Sequence, residues 1–414
     1  MNRRLFFACA GAAAVYPGLL GCRAQPAGAP PGLAASGDAA FDAWLNGFYL
    51  KAVATGLPNE VLDRELAGLT PNPAIIAADR NQPEIARPVS SYIKGAVSDA
   101  RVATGTAKRA DLGWLVDVET RYGVPPEVLI AIWGLESSFG AVQGDFDIIR
   151  TDATLAADGR RRALFEENLL AALRIIASGE AVRTQLKGSN AGAMGQTQFS
   201  PADYLKTAVD AEGDGKRDLW GSAQDALASS ANLLAKAGWK RGESWQREVT
   251  LPGGFDYSVV EGPRQAPAEW LALGVRATDG AGWKPEDARS TAQLITPSGA
   301  AGPAFLIFPN HFTIRAYNNS TSYALGVGLL ASRIAGEPGV IKSWPQESGL
   351  SAAERTGAQE ALSKLGFDPG GVDGIVGVGT RAAVRKWQKD RGITADGYLT
   401  PDLVKRLQAE AAAL

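Results

Sequence analysis

Apolar positions recur every three or four residues along most of the chain, the period of an amphipathic helix. Residues 41–66 carry Phe41, Trp44, Phe48 and Ala52, then, past Gly56-Leu57-Pro58, Val61, Leu62 and Leu66. Residues 109–122 set Leu112, Leu115, Val116 and Val118 against Asp117, Glu119 and Arg121. Residues 154–177 and 223–237 read as helices too. Strand signals are few. Residues 305–308 and 312–314 carry the best of them, with Pro309-Asn310 between. The pattern predicts a mainly α body with a small β element.

One predicted helix differs from the rest. In residues 124–140, Val128, Ile132, Leu135 and Phe139 hold the apolar period, Pro125 and Pro126 suit the start, and Gly140 suits the stop. Glu127 lies in the first turn and answers the helix dipole. Glu136 lies in the last turn, where dipole and desolvation both disfavour the anion. Both effects push such a carboxyl toward donating a proton near neutral pH. The bland alternative is a glutamate ending in a salt bridge or in water.

Composition changes the picture at the ends. Residues 1–22 read as a targeting segment, with Arg3 and Arg4 before an apolar run too short to span a membrane comfortably. Residues 23–40 are rich in Ala, Pro and Gly and read as a flexible tether. A large domain over 41–336 follows, then a linker over 337–349 and a small domain over 350–411. Helices are expected there at 354–365, 380–389 and 401–407. Asp373-Gly374 and Asp396-Gly397, each followed by a Thr and a helix, suggest an internal repeat.

The scarce residues exclude chemistry. The cysteines are Cys9 and Cys22 and the one histidine is His311. A thiol nucleophile or a Cys/His zinc site is thereby excluded from the folded body. A serine triad would have to use His311, and no G-x-S-x-G elbow is present. The formal net charge is −2, which gives no nucleic-acid footprint.

Three resemblances follow. Leu19-Leu20-Gly21-Cys22 resembles a bacterial lipobox, which implies a lipid on Cys22. With Arg23 rather than Asp, it implies delivery to the periplasmic face of an outer membrane. An ordinary signal peptide and a soluble periplasmic protein is the alternative. Next, Ile132-Trp133-Gly134-Leu135-Glu136-Ser137-Ser138-Phe139-Gly140, Gly188-Ser189-Asn190-Ala191-Gly192-Ala193-Met194-Gly195-Gln196-Thr197-Gln198-Phe199-Ser200-Pro201 and Arg315-Ala316-Tyr317-Asn318-Asn319-Ser320 with Tyr323 together resemble the membrane-bound lytic transglycosylase B family. That resemblance implies an α+β lysozyme-like catalytic domain. Finally, Leu365-Gly366-Phe367, Asp373-Gly374-Ile375-Val376-Gly377, Thr380 and Trp387-Gln388 resemble a three-helix peptidoglycan-binding domain of type 1. Tethered by 337–349, such a domain would raise the local substrate concentration.

The family resemblance implies a monomer that acts on peptidoglycan strands and needs no cofactor for its chemistry. Glu136 would protonate the bond between N-acetylmuramic acid and N-acetylglucosamine. It would then deprotonate the muramic acid 6-hydroxyl, closing a 1,6-anhydro ring without water. A hydrolysing muramidase, with Asp145 or Asp147 as second carboxylate, and a non-catalytic wall-binding lipoprotein are the alternatives. Ser189 and Gln198 would face the substrate, with Gln198 preferred to Gln196. Tyr317 and Asn318 would orient the acetamido group and Glu136, and Tyr323 would be a sugar platform. Arg161 and Arg162 would take stem-peptide carboxylates. Each of these could instead be core, a cap or a solvated charge.

The loop from Asp210 carries Asp210, Glu212 and Asp214 at positions 1, 3 and 5 of an EF-hand-like calcium loop, Gly215 at 6 and the Lys216 carbonyl at 7. Gly221 stands at position 12, so Asp225 would have to replace the missing ligand. A structural Ca2+ there and a metal-free acidic turn are the two expectations.

Overall fold

A computed structural model describes residues 33–80 and 87–414. The targeting segment, Cys22 and most of the tether lie outside the described residues. No helix among the described residues is long and apolar enough to cross a membrane.

The large domain has two helical cores that meet at a seam. One is built from helices Ala39–Ala54, Asn59–Leu66, Ile148–Asp158, Arg162–Ala177 and Pro201–Thr207. The other is built from Leu115–Tyr122, Pro126–Ser137, Ala223–Lys236 and Thr321–Ile334. Tyr317 packs against both. The apolar period sets each buried face, and caps set the ends. Asp38, Ser98, Asp147, Ser200, Ser222 and Ser320 each accept a first-turn amide.

Several expected helices divide. Residues 109–122 belong to two helices, Asp99–Asp111 and Leu115–Tyr122, with Gly113 between them. The expected helix over 154–177 breaks at Gly159, whose φ is +88°, into Ile148–Asp158 and Arg162–Ala177. Residues 312–314 are not a strand. They lie inside the helix Pro309–Tyr317, where Pro309 takes a first-turn position that needs no N–H. The buried Asn310 side chain holds that helix in place: Oδ1 accepts from Lys240 N at 2.7 Å, and Nδ2 donates to the carbonyls of Lys240 and Glu243.

The expected strand at 305–308 is Ala304–Ile307, one of the two inner strands of an antiparallel sheet. Strand order is Arg276–Ala277, Gln246–Thr250, Ala304–Ile307, Gln293–Ile295. Gln246 pairs Ile307, and Ile295 pairs Phe305. Both faces are covered, which explains the continuous apolar run. Leu306 and Phe308 face Trp270, while Phe305 and Ile307 face Ile93 and Leu325 of the helical body.

The C-terminal domain packs helices Ala352–Lys364, Val378–Asp390 and Pro401–Ala412 around Trp387. Its internal repeat has a physical basis. Buried Gln359 accepts from Asp373 N and Gly374 N and donates to Asp373 Oδ1. Gln388 does the same for the second turn, accepting from Gly397 N and donating to Asp396 Oδ1.

Residues 337–349 are fastened to the large domain. Glu248 accepts from Ile341 N and Lys342 N, Trp344 stacks on Phe305 at 6.1 Å, and Glu347 accepts from Ser90 N and from the Tyr398 hydroxyl. The small domain adds a clamp: Arg381 and Arg385 both reach Glu261, and Asp396 accepts from Ala300 N.

Candidate active site

The helix Pro126–Ser137 is buried on nearly every side by Val128 to Trp133, and Glu136 is half-buried in its last turn. The chain leaves it through three left-handed residues: Ser138 at φ +51°, Phe139 at +61° and Gly140 at +85°. For the two non-glycine residues such a backbone costs about 1–3 kcal/mol each, so it persists only where neighbours over-determine it. They do so here. Phe139 packs edge-on against Trp133 at 5.8 Å and fills the space left by Gly134, where a Cβ would stand 2.7 Å from the ring. Ser137 Oγ accepts from Gly140 N at 2.8 Å and donates to Gln196 O at 2.5 Å. Trp133 Nε1 donates to Gln196 Oε1 at 3.0 Å. Buried Gln196 therefore ties the end of this helix to the glycine-rich segment. The sequence put the emphasis on Gln198 and missed this role. Nothing local set Gln196 apart, since Thr197 and Gln198 beside it are polar too.

Tyr323 is a direct partner of Glu136. Its hydroxyl donates to Glu136 Oε1 at 2.5 Å. Tyr323 is buried on the helix Thr321–Ile334, so it is an orienting group rather than an open sugar platform. Burial first, and the Glu136 charge second, hold its hydroxyl well above the usual tyrosine range, so it remains a donor. Tyr317 is raised for the same two reasons. It donates to the Thr197 carbonyl, lies 3.3 Å from Ser230 Oγ, and meets Phe199 edge-on. Tyr317 thus braces the glycine-rich segment beside Glu136. Asn318 follows it, exposed, with no side-chain partner among the described residues.

The glycine-rich segment folds on itself. Ser189 Oγ accepts from Ala191 N and Ala193 N, and Gly192 N donates to Ser189 O. A side chain at Gly188 would collide with the Ala193 carbonyl, which explains that glycine. Gln198 is half-buried at φ +50°, and its Nε2 donates to the carbonyls of Gln143 and Gly195. Ser189 thus closes its own turn, and Gln198 ties the segment to the loop at Gln143.

Other expected site residues are placed elsewhere. Arg160 and Arg161, not Arg161 and Arg162, share one carboxylate, that of buried Asp79. Arg162 donates to the carbonyls of Ala156 and Ala157. These arginines clamp helix Pro73–Arg80 to the Gly159 turn. Asp147 caps Ile148–Asp158 and accepts from Arg183, and Asp145 is exposed. Asp147 is thus taken up by a helix cap and an ion pair.

In the loop from Asp210, the carboxylates turn onto the loop's own amides. Asp210 accepts from Gly213 N and Gly215 N, and Asp214 accepts from Lys216 N. Asp225 accepts from Ala211, Glu212 and Asp218. Asp225 is pushed up by burial above all, with backbone amides working against it and the Asp210 charge adding to it. Among the described residues no three Asp, Glu, His or Cys side chains converge as a ready metal cluster. His311 is fully buried with neither ring nitrogen bonded, which removes it from any catalytic part.

Comparison with known proteins follows the same division of the chain. The transglycosylase SLT domain matches residues 40–332, and a peptidoglycan binding domain matches residues 351–407. Membrane-bound lytic murein transglycosylase B of Escherichia coli (strain K12) is 34% identical over 223 residues, 52% of this chain. The match spans 58% of that relative's length. The structure of SltB3 from Pseudomonas aeruginosa in complex with NAG-anhNAM-pentapeptide shares 44% identity at a TM-score of 0.85, covering 90% of this chain and 100% of that one. Escherichia coli Slt35 in complex with calcium shares 28% identity at a TM-score of 0.59, covering 70% and 92%.

Proposed function

The chain belongs to the transglycosylase SLT domain family, and from that premise we propose that it is a lytic transglycosylase of peptidoglycan. The observation that carries the reading is the pairing of Glu136 with the Tyr323 hydroxyl at the end of a buried helix. A hydrolase of the usual kind needs two carboxyl groups facing each other across the bond. One carboxyl suffices when substrate groups do the rest.

In the first step protonated Glu136 gives its proton to the glycosidic oxygen as the C1–O bond breaks. The substrate's 2-acetamido oxygen supports the developing positive charge. Tyr323 holds Oε1 and so fixes the plane of the carboxyl throughout. In the second step the carboxylate takes the proton of the muramic acid 6-hydroxyl. That oxygen bonds to C1, the anhydro ring closes, and Glu136 ends protonated as it began. No water enters.

Several finer assignments belong to the same proposal. Exposed Asn318 and half-buried Ser189 and Gln198 supply polar groups to the glycan. A lipid on Cys22 holds the enzyme, as a monomer, at the periplasmic face of the outer membrane. The loop from Asp210 takes a structural Ca2+. The oxygen-only donors Asp210, Glu212, Asp214, Asp225 and the Lys216 carbonyl suit a hard divalent cation. Buried Asp225, facing the like charge of Asp210, is a carboxylate that a cation would stabilise.

Digestion of purified sacculi tests the activity. Wild type is expected to release products one water lighter than hydrolysis would give, and Glu136→Gln to release none. Reducing ends alone would establish the hydrolase instead, and no release by wild type would leave a wall-binding lipoprotein.

A further inference from the structure

Asp152 takes no part in the chemistry above, yet it is fully buried, and neither carboxyl oxygen has a hydrogen-bond partner among the described residues. A buried acid without a partner is costly, and an apolar side chain of similar size would avoid that cost. Burial pushes its carboxyl well above the usual range. Its place explains what it does. Asp152 lies on Ile148–Asp158, directly behind Gly192 of the glycine-rich segment. Its Oδ1 occupies the space a Cβ on Gly192 would need, and Gly192 sits at φ +83°. The amides of Ser189, Ala191 and Gly192 are already taken within the turn. What Asp152 offers the turn is therefore a flat, thin surface against a bare glycine backbone.

We propose that Asp152 is a positioning residue: its flat carboxyl, packed on Gly192, sets the height of the turn that carries Ser189 toward the glycan. This rests on the transglycosylase reading and deepens it. A carboxamide has the same flat outline. A leucine removes the buried acid but brings tetrahedral methyl groups, wider than an oxygen, against Gly192. Those methyls would lift the turn while leaving Glu136 and Tyr323 untouched. Loss of glycan contacts made equally before and during reaction raises KM and spares kcat.

The test compares full-length wild type, Asp152→Asn and Asp152→Leu on soluble glycan chains, with anhydro products counted by mass and melting temperature measured alongside. Asp152→Asn is expected to keep KM within about twofold. Asp152→Leu is expected to raise KM about tenfold, change kcat less than threefold and melt no lower than wild type. A merely structural role would lower the melting temperature instead. If Asp152→Leu does not fold, Gly192→Ala pushes the same contact from the other side and should show the same KM defect. An unchanged KM in Asp152→Leu or Gly192→Ala, or an Asp152→Asn as defective as Asp152→Leu, overturns the proposal. If wild type itself releases no anhydro product, the transglycosylase reading fails and this proposal fails with it.

Discussion

Tyr323→Phe isolates one bond at the site. The ring stays, buried between the helices Pro126–Ser137 and Thr321–Ile334, and only the hydroxyl that meets Glu136 Oε1 at 2.5 Å is removed. A hydrogen bond to a charged group contributes about 1.5–3 kcal/mol. At about 1.4 kcal/mol per decade, that is roughly a 10- to 150-fold loss of rate. The loss should fall on kcat rather than KM, because Tyr323 is buried and touches the acid rather than the sugar. The pH dependence has a definite sign. A donor to a carboxylate favours the anion, so removing it favours the protonated acid. The limb of the rate profile that reports ionised Glu136 should therefore move to higher pH. The assay is the initial rate of anhydro-product release from soluble chains across a pH series, beside a melting curve. A kcat within about twofold of wild type with an unmoved profile would refute the role given to Tyr323.

Three further outcomes are expected. Glu261→Gln leaves Arg381 and Arg385 without their shared anion. It should weaken docking of the C-terminal domain by about 1.5–3 kcal/mol, read as a larger radius in solution scattering and slower turnover of sacculi with soluble chains unaffected. An unchanged radius would show that the strap over 337–349 and the Asp396–Ala300 bond suffice without Glu261. His311 is held down to about 3 by burial, against 6.5 when exposed. Above pH 6.5 both folded and unfolded chains carry it neutral. Between there and about 3 only the unfolded chain gains the proton, so stability falls as pH falls, by up to about 1.4 kcal/mol per unit. In urea unfolding at stepped pH, His311→Leu should show a shallower acid slope, and an equal slope refutes this. For the loop from Asp210, EDTA should lower the melting temperature and added Ca2+ restore it, a gain of about 2.7 kcal/mol at a hundredfold excess over Kd. Coincident melting curves would leave Asp225 satisfied by its backbone amides alone.

Some of this protein could be read from local order in the sequence. Periodicity gave the helices, and the acid in the last turn of 124–140 singled out Glu136, because both are properties of neighbouring residues. The two Asp-Gly turns gave the repeat, since each turn is closed by a glutamine on the helix just before it. Helix ends were read less well. Gly159 breaks one expected helix because a left-handed residue stops the ladder, whereas the same glycine inside an apolar period is easily passed over.

What pairs across the fold was decided by tertiary structure alone. Tyr323 is far from Glu136 in sequence, and only the packing of their two helices brings hydroxyl to carboxylate. Arg161 and Arg162 read as takers of a peptide carboxylate or as solvated charge, and the sequence gives no hint that Asp79 lies beneath Arg160 and Arg161. Residues 312–314 read as a strand because a short apolar run carries no period long enough to choose. Asn310, bonded to the distant loop at Lys240, fixes them as helix. The linker read as a tether because Pro, Gly and Ser predict flexibility. Glu248, Phe305 and Tyr398, none of them its sequence neighbours, fasten it. A local pattern fixes which face of an element is apolar, but a side chain's partner depends on which distant surfaces that face is buried against.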